Sequence, residues 1–230
     1  MKSPKQLFVV AALALASWFP SASHAIEPIV VLDEGFSSVS ALSNWARINV
    51  SSPQGQQWFQ GNPGIFAAQQ GAPDSYAAVN HLSALHGNGW VDNWLITPEV
   101  SLLGPSVLSF FARDAQAPGF GDLLEVRFSP GPDLALTGFS ILFGSVGGIT
   151  PYPATWQEYS AGFDFEGTGR FAFRYVGDAD AANYIGLDSV LVTTVPEADV
   201  YLMLLVGLAG VAFLRRRHAA SQPPGEPDYV

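Results

Sequence analysis

The stretches Leu124-Glu125-Val126-Arg127-Phe128 and Phe171-Ala172-Phe173-Arg174-Tyr175 decide the predicted fold. In each one, large apolar side chains alternate with charged or small residues. Successive side chains of a β-strand point to opposite faces, so a period of two predicts strands with one buried and one solvent-exposed face. Antiparallel sheets that cover a single core commonly show this pattern.

Apolar or alternating runs recur between turn-forming residues along most of the chain. Further strands are predicted over 29–32, 94–96, 107–112, 139–143, 156–163 and 184–192. The Gly, Pro and Gln-rich segments 51–64 and 115–121 are predicted to be loops, and only 37–45 and 79–85 have weak helical character. The sequence therefore predicts an all-β fold over residues 26–195, a jelly-roll-type antiparallel β-sandwich in one domain.

The composition excludes several classes of function. The chain has a formal net charge of −10, and residues 26–195 contain 16 acidic residues, five arginines and no lysine. Such a body repels phosphate backbones, so nucleic acid is not an expected partner. The chain has no cysteine, which excludes disulfides, thiolate zinc sites and cysteine nucleophiles.

The N-terminus is predicted to be a secretory signal peptide over residues 1–25. Lys2 and Lys5 precede the apolar stretch 7–19, and Ser23-His24-Ala25 has the small residues typical of a signal-peptide cleavage site. We expect a signal helix that is cleaved after Ala25, which leaves a mature chain that begins near Ile26.

The C-terminus combines Pro196-Glu197-Ala198, the apolar run 200–214 and Arg215-Arg216-Arg217. An apolar helix of this length spans about 22 Å, short of the roughly 30 Å hydrocarbon core of a membrane. The three arginines predict that the C-terminal end of this helix stays on the cytoplasmic side of the membrane. We expect a C-terminal apolar helix in segment 196–217 that enters the membrane only briefly, followed by a disordered tail over 218–230.

The order of these three parts resembles the PEP-CTERM sorting signal of Gram-negative bacteria, although Ala198 replaces a usual second proline. The resemblance implies that an exosortase-type transpeptidase cuts near Pro196-Glu197. The body would pass the inner membrane and reach the cell surface or the extracellular polymer. The alternative is a permanent C-terminal membrane anchor.

A second resemblance covers residues 32–192. It rests on Asp33-Glu34-Gly35-Phe36, Asn44-Trp45, Trp58, Phe66, Gly71, the stretch Asp92-Asn93-Trp94-Leu95-Ile96-Thr97-Pro98-Glu99-Val100, and Asn183-Tyr184-Ile185-Gly186-Leu187-Asp188-Ser189-Val190. Together these motifs resemble the choice-of-anchor J domain, a jelly-roll sandwich related to cleaved-adhesin modules. This resemblance implies an exported surface module and no particular activity.

Aromatic residues in loop-like surroundings are the candidate ligand contacts, because sugars stack on flat apolar rings. The candidates are Trp58, Trp90, Phe120 and Tyr152, with Phe59 beside them. Packing within the domain is the alternative for each of these residues. Trp45 and Trp94 lie in segments with a strand-like sequence pattern and are predicted to be core residues.

The histidines and carboxylate pairs of the sequence give little support for a catalytic site. His81 and His86 are five residues apart, which does not match a helical zinc motif. The carboxylate pairs Asp178/Asp180 and Asp164/Glu166 lie beside glycines and are predicted to be solvated acidic turns rather than a glycosidase pair.

A structural calcium ion is the predicted cofactor. Asp33-Glu34 and Asp188 lie on the first and last strands, and hard carboxylate oxygens suit Ca²⁺. The resemblance to related sandwiches implies Glu34 and Asp188 as ligands, with Asn183 as a further candidate. The alternative is that Glu34 and Asp188 bond backbone amides and Arg174.

These observations predict a non-catalytic surface or extracellular-matrix protein with carbohydrate or an adhesive target as its ligand. The alternatives are a surface-layer hydrolase, acting on glycosides or peptides, and a permanently anchored structural protein.

Overall fold

The computed structural model describes residues 27–196, 204–212 and 215. The predicted signal peptide 1–25, the tail 218–230 and the predicted sorting residues Glu197, Ala198, Arg216 and Arg217 lie outside the described residues. Pro196 and Arg215 lie within them. The fold is therefore described for the predicted β-domain and for part of the C-terminal segment.

The described chain is built from antiparallel β-strands joined by loops and short 3-10 turns. The strands are β1 (Ile29–Glu34), β2 (Ala46–Asn49), β3 (Phe59–Gln60), β4 (Ala77–Asn80), β5 (Trp90–Ile96), β6 (Val100–Asp114), β7 (Leu123–Pro130), β8 (Ile141–Gly147), β9 (Gln157–Asp178) and β10 (Tyr184–Thr194). Every pairing between them is antiparallel.

Strand β9 connects the two layers of the fold. Its first part, 157–169, pairs with β6, whereas 169–178 lies between β5 and β7. The crossing falls at Gly167, whose φ of 129° belongs to a region that favours glycine, and at Gly169, where a side chain would collide with the ring of Phe128. The sequence analysis predicted two strands separated by an acidic turn here, but Asp164 and Glu166 lie within one continuous strand.

Two layers face each other across one apolar core. Layer A contains β1, β3, β4, β6, β10 and the first part of β9, and layer B contains β2, β5, β7, β8 and the last part of β9. Phe110 of layer A meets Phe173 of layer B edge to face, with ring centroids 5.2 Å apart. The predicted antiparallel β-sandwich is confirmed.

The alternation that predicted this sandwich is present, with one difference. Leu124, Val126 and Phe128 are buried, and Glu125 and Arg127 are only partly exposed. Ala172, predicted on the wet face, is fully buried. The segment 131–140 covers this outer face of layer B and forms a small cluster made of Trp94, Ile96, Phe139 and Ala172. The prediction that Trp94 is buried is confirmed.

Segment 61–76 covers part of the outer face of layer A in a similar way. Phe66 and Tyr76 pack against Tyr184 of β10 in a second cluster. The Tyr76 and Tyr184 hydroxyls lie 3.0 Å apart, and both accept from the Asn62 amide. Each layer is thus partly covered on its outer side by a loop that the alternating pattern did not reveal.

The two segments with weak helical character form only short turns. Segment 37–45 contains a 3-10 turn at Val39–Ala41, and segment 79–85 contains the end of β4 and a 3-10 turn at His81–Ser83. Near the C-terminus, residues 204–212 are helical and solvent-exposed. Among the described residues, no helix is long and apolar enough to span a membrane.

Candidate functional site

One end of the sandwich brings together several of the residues that the sequence singled out. Here β5, β7 and β10 begin, and β6 and β9 end. We call this surface the aromatic end and define it by its exposed residues His86, Asn88, Trp90, Phe120, Asp178 and Asp180.

The two rings of the aromatic end flank a single turn. The 3-10 turn Ala179–Ala181 is bonded on one side through the Ala179 amide to the Gly89 carbonyl, at 2.8 Å. On the other side, the Gly121 amide donates to the Ala181 carbonyl at 2.7 Å. Trp90 and Phe120 are the neighbours of these two glycines, and their exposed fractions are 53% and 47%. The backbone therefore holds two open rings on either side of the turn.

Polar groups accompany these rings. Asp178 lies opposite Trp90 in the β5–β9 ladder, and its carboxylate accepts from the Asp180 amide at 3.1 Å. Asn88 donates through Nδ2 to the His86 carbonyl at 3.1 Å. The aromatic end thus offers two apolar faces beside carboxylate, amide and imidazole groups without an arginine or lysine. This chemistry suits a neutral polyhydroxylated ligand better than an anionic one.

A buried polar cluster fixes the strands beneath this surface. Asp122 accepts from the Tyr175 hydroxyl and, at 2.8 Å, from the Asn183 amide that follows the turn. Asp122 is 3% exposed, and burial raises the pKa of its carboxyl. Its bonds join the start of β7, next to Phe120, to the start of β10. The sequence analysis did not identify Asp122, because its partners are more than 50 residues away.

Two predicted platform residues are buried, so their prediction as ligand contacts is wrong. Trp58 is fully buried, and its Nε1 donates to the Asn93 carbonyl at 3.2 Å. Tyr152 lies against Asp122 in the core, where burial raises the pKa of its hydroxyl well above the usual value. Both residues lie in segments rich in glycine and proline, which predicted exposed loops. In the structure, the aromatic ring of each residue packs into the core and anchors its loop.

The predicted calcium ligands do not lie together as one set of three. Asn183 immediately precedes β10 and Asp188 lies within it, five residues further along extended chain, a separation of roughly 16 Å. Ligands of one Ca²⁺ lie within about 2.6 Å of it, so these two residues cannot share an ion. The structure therefore does not bring Asn183 and Asp188 together.

Glu34 and Asp188 both accept from backbone amides. Asp188 is fully buried, and its carboxylate accepts from Gln69 at 2.8 Å, Gln70 at 3.2 Å and Ser189 at 2.7 Å. Glu34 accepts from the Phe36 amide at 2.7 Å. These contacts match the backbone-amide alternative, although Arg174 takes no part in them. The described residues contain no group of three or more acidic or histidine side chains that could hold a metal.

Arg174 instead organises an ion-pair network on the outer face of layer B. It makes two hydrogen bonds to Asp92, at 2.7 and 2.8 Å, and one to Glu125 at 3.1 Å. Glu125 also accepts from Arg127 at 2.7 Å. A shallow cavity of about 340 Å³ lies here, but its charged groups already satisfy one another, so we assign the network a structural role.

Comparisons with known structures give the class of the fold. The chain matches the K3 cleaved adhesin domain of Lys-gingipain from Porphyromonas gingivalis at 25% identity and a TM-score of 0.59, over 73% of this chain and 99% of that domain. The K1 domain of the same protein matches at 24% identity and a TM-score of 0.54, over 71% and 97%. The predicted jelly-roll class is confirmed, and the fold is that of an adhesin-like β-sandwich. No protein-family model and no curated protein matches the chain.

Proposed function

We propose that this chain is an exported, non-catalytic surface module that binds carbohydrate through the aromatic end. One observation carries the proposal: Trp90, at the start of β5, and Phe120, in the loop before β7, are exposed on either side of one acidic turn. Exposed rings of this size are costly in water and suit the apolar faces of sugar rings. Asp178, Asp180 and Asn88 would accept or donate hydrogen bonds to sugar hydroxyls.

The structural comparison supports the same class. The K3 domain of Lys-gingipain is itself named a cleaved adhesin domain, and it spans almost the same length as this domain. An adhesive module at the cell surface or in the extracellular matrix is consistent with a signal peptide over 1–25. It is also consistent with the acidic, cysteine-free body.

The route of export forms part of the proposal. Pro196-Glu197-Ala198, the run 200–214 and Arg215-Arg216-Arg217 would act as a PEP-CTERM-type signal read by an exosortase. The apolar run would hold the chain in the inner membrane until cleavage. The choice-of-anchor J resemblance over 32–192 supports this route, because that family carries varied C-terminal sorting signals.

Glycan arrays probed with residues 26–195 test the binding proposal. We expect binding to a neutral glycan, and a loss of that binding of about tenfold or more for Trp90→Ala and for Phe120→Ala. Leu134→Ala is the matched control, because Leu134 is an exposed apolar residue in the segment after β7, at the opposite end of the sandwich. Equal binding by Trp90→Ala and the wild type would contradict the proposal.

Turnover assays on the same glycans separate a binding module from a hydrolase. A module binds without releasing products, whereas a glycoside hydrolase of the surface layer releases sugars at a steady rate. Parallel assays on peptide substrates test the protease alternative. Steady product formation that survives purification would replace the proposal with the enzyme alternative.

A further inference from the structure

The first part of β9 leaves one edge of layer A open. Residues 157–169 pair with 100–112 of β6 on one side. On the other side, no strand within 27–196 pairs with 157–167, since β5 and β7 join β9 only from residue 169 onward. Backbone N–H and C=O groups at alternate positions of this segment therefore have no ladder partner. We call 157–167 the open edge.

An apolar cleft runs beside the open edge. Strand β8 pairs only with β7 among the described strands, so its outer edge faces the same gap. Phe143 of β8 lies 4.9 Å from Phe163 of β9 between ring centroids, and Tyr159 stacks on Phe110 at 5.6 Å. A cavity of about 90 Å³ opens between Phe143 and Tyr159. An added strand could therefore bury side chains as well as form hydrogen bonds.

The open edge has few of the usual features that prevent strand addition. Native edge strands are protected by charged side chains, above all lysine, and by proline, bulges or shortness. Segment 157–167 has no proline and no lysine, and its register with β6 is regular throughout. Its protection consists only of acidic side chains.

Those acidic side chains lie on one face. Glu158, Asp164 and Glu166 are exposed, in line with Ser160 and Gly162, and none of the three acidic residues makes an ion pair within 27–196. The alternate positions Tyr159, Phe163 and Phe165 are half-buried toward the cleft. The edge thus presents acidic groups outward and aromatic groups inward with a period of two.

A second copy of the chain is a poor occupant. An antiparallel pair of open edges related by a two-fold axis through Gly162 would place Glu158 opposite Glu166 in both halves. Like charges directly opposite each other destabilise a strand pair. The body is also strongly acidic as a whole, which adds repulsion between copies.

We propose that the open edge binds an extended peptide segment in which basic and apolar residues alternate. Its backbone would continue the ladder of layer A, its apolar side chains would enter the cleft beside Phe143 and Tyr159, and its basic side chains would meet Glu158, Asp164 and Glu166. This peptide site uses none of the residues of the aromatic end, and it stands whether or not that end binds carbohydrate.

The full chain can be titrated with an eight-residue Lys-Val repeat peptide, blocked at both ends, with a Glu-Val repeat as the control peptide. We expect the Lys-Val peptide to bind at low ionic strength, to weaken as salt is added, and to slow amide hydrogen exchange within 157–167. The Glu-Val peptide should not bind.

A charge variant makes the assignment specific. Replacement of Glu158→Gln, Asp164→Asn and Glu166→Gln together should weaken the Lys-Val peptide by about tenfold. The matched control, Asp33→Asn, Asp74→Asn and Asp133→Asn, removes the same charge from exposed positions elsewhere and should bind as the wild type does. Exchange protection outside 157–167, an equal loss in both variants or binding of the Glu-Val peptide would overturn the proposal. Concentration-dependent dimers protected at 157–167 would also overturn it, because they would make a second copy the occupant.

Discussion

Replacing Trp94 by alanine removes the largest side chain from the cluster that covers the outer face of layer B. Trp94 is only 4% exposed, although it lies on the face of β5 that points away from the main core. Its ring lies 5.9 Å from that of Phe139, the Arg174 guanidinium lies 4.9 Å above it, and its Nε1 donates to Asp92 at 2.6 Å. Each of these contacts depends on segment 131–140 or on the ion-pair network.

The expected loss follows from the buried surface. A tryptophan buries about 150–250 Å², and at about 25 cal/mol per Å² this is worth about 4–6 kcal/mol, part of which alanine retains. Asp92 keeps its two bonds to Arg174, so no buried charge is left unpaired. We expect Trp94→Ala to lower the free energy of unfolding by about 4 kcal/mol, within the usual range for such changes. For a domain of this size, the melting temperature should fall by about 8–16 °C.

Trp90→Ala is the matched control. Trp90 lies on the same strand but is 53% exposed, so its removal should change the free energy of unfolding by less than about 1 kcal/mol. Urea denaturation followed by circular dichroism, with a constant m-value, gives both numbers.

The outcome that would refute the reasoning is equal destabilisation by the two variants. It would mean that segment 131–140 does not cover Trp94 in solution. The double variant Trp94→Ala with Phe139→Ala tests the contact itself. If the rings pack together, the double variant should lose less stability than the sum of the two single losses.

Three further predictions concern Asp188, sorting and calcium. Burial raises the pKa of Asp188 from 3.8 to about 6, so the folded state holds its proton longer than the unfolded state; the free energy of unfolding should fall by about 3 kcal/mol as pH rises from about 4 to 6. Denaturation experiments across this pH range should show a smaller fall in the free energy of unfolding for Asp188→Asn than for the wild type. The exposed control Asp33→Asn should show the same fall as the wild type. Mass spectrometry of surface material should place the mature C-terminus close to Pro196, whereas an intact Val230 would indicate a permanent anchor. If Glu34 and Asp188 hold Ca²⁺, millimolar calcium should raise the melting temperature of the wild type and a chelator should lower it; identical melting under both conditions would exclude the site.

The candidate site could be predicted only in part, because exposure of a loop residue depends on where the loop folds. Trp58, Trp90 and Phe120 all lie near glycines in the sequence, yet Trp58 is buried in the core and the other two are exposed. All three are aromatic residues with a glycine no more than three positions away. The difference arises from contacts with distant segments, such as the bond from Trp58 to Asn93 and those from Gly89 and Gly121 to the 179–181 turn.

The sequence alone determined the class of fold and the strands of the core. The alternation around Leu124 and Phe173 is a local consequence of strand geometry, so it predicts a buried face without knowledge of the partner strand. Only the tertiary structure decided that β9 is one strand crossing between layers at Gly167, and that 131–140 closes over Trp94. These features depend on pairings between residues far apart in the chain, and the local alternation of apolar and polar residues does not reveal such pairings. The same reason explains the open edge, since a strand edge is free only when no other segment of the fold reaches it.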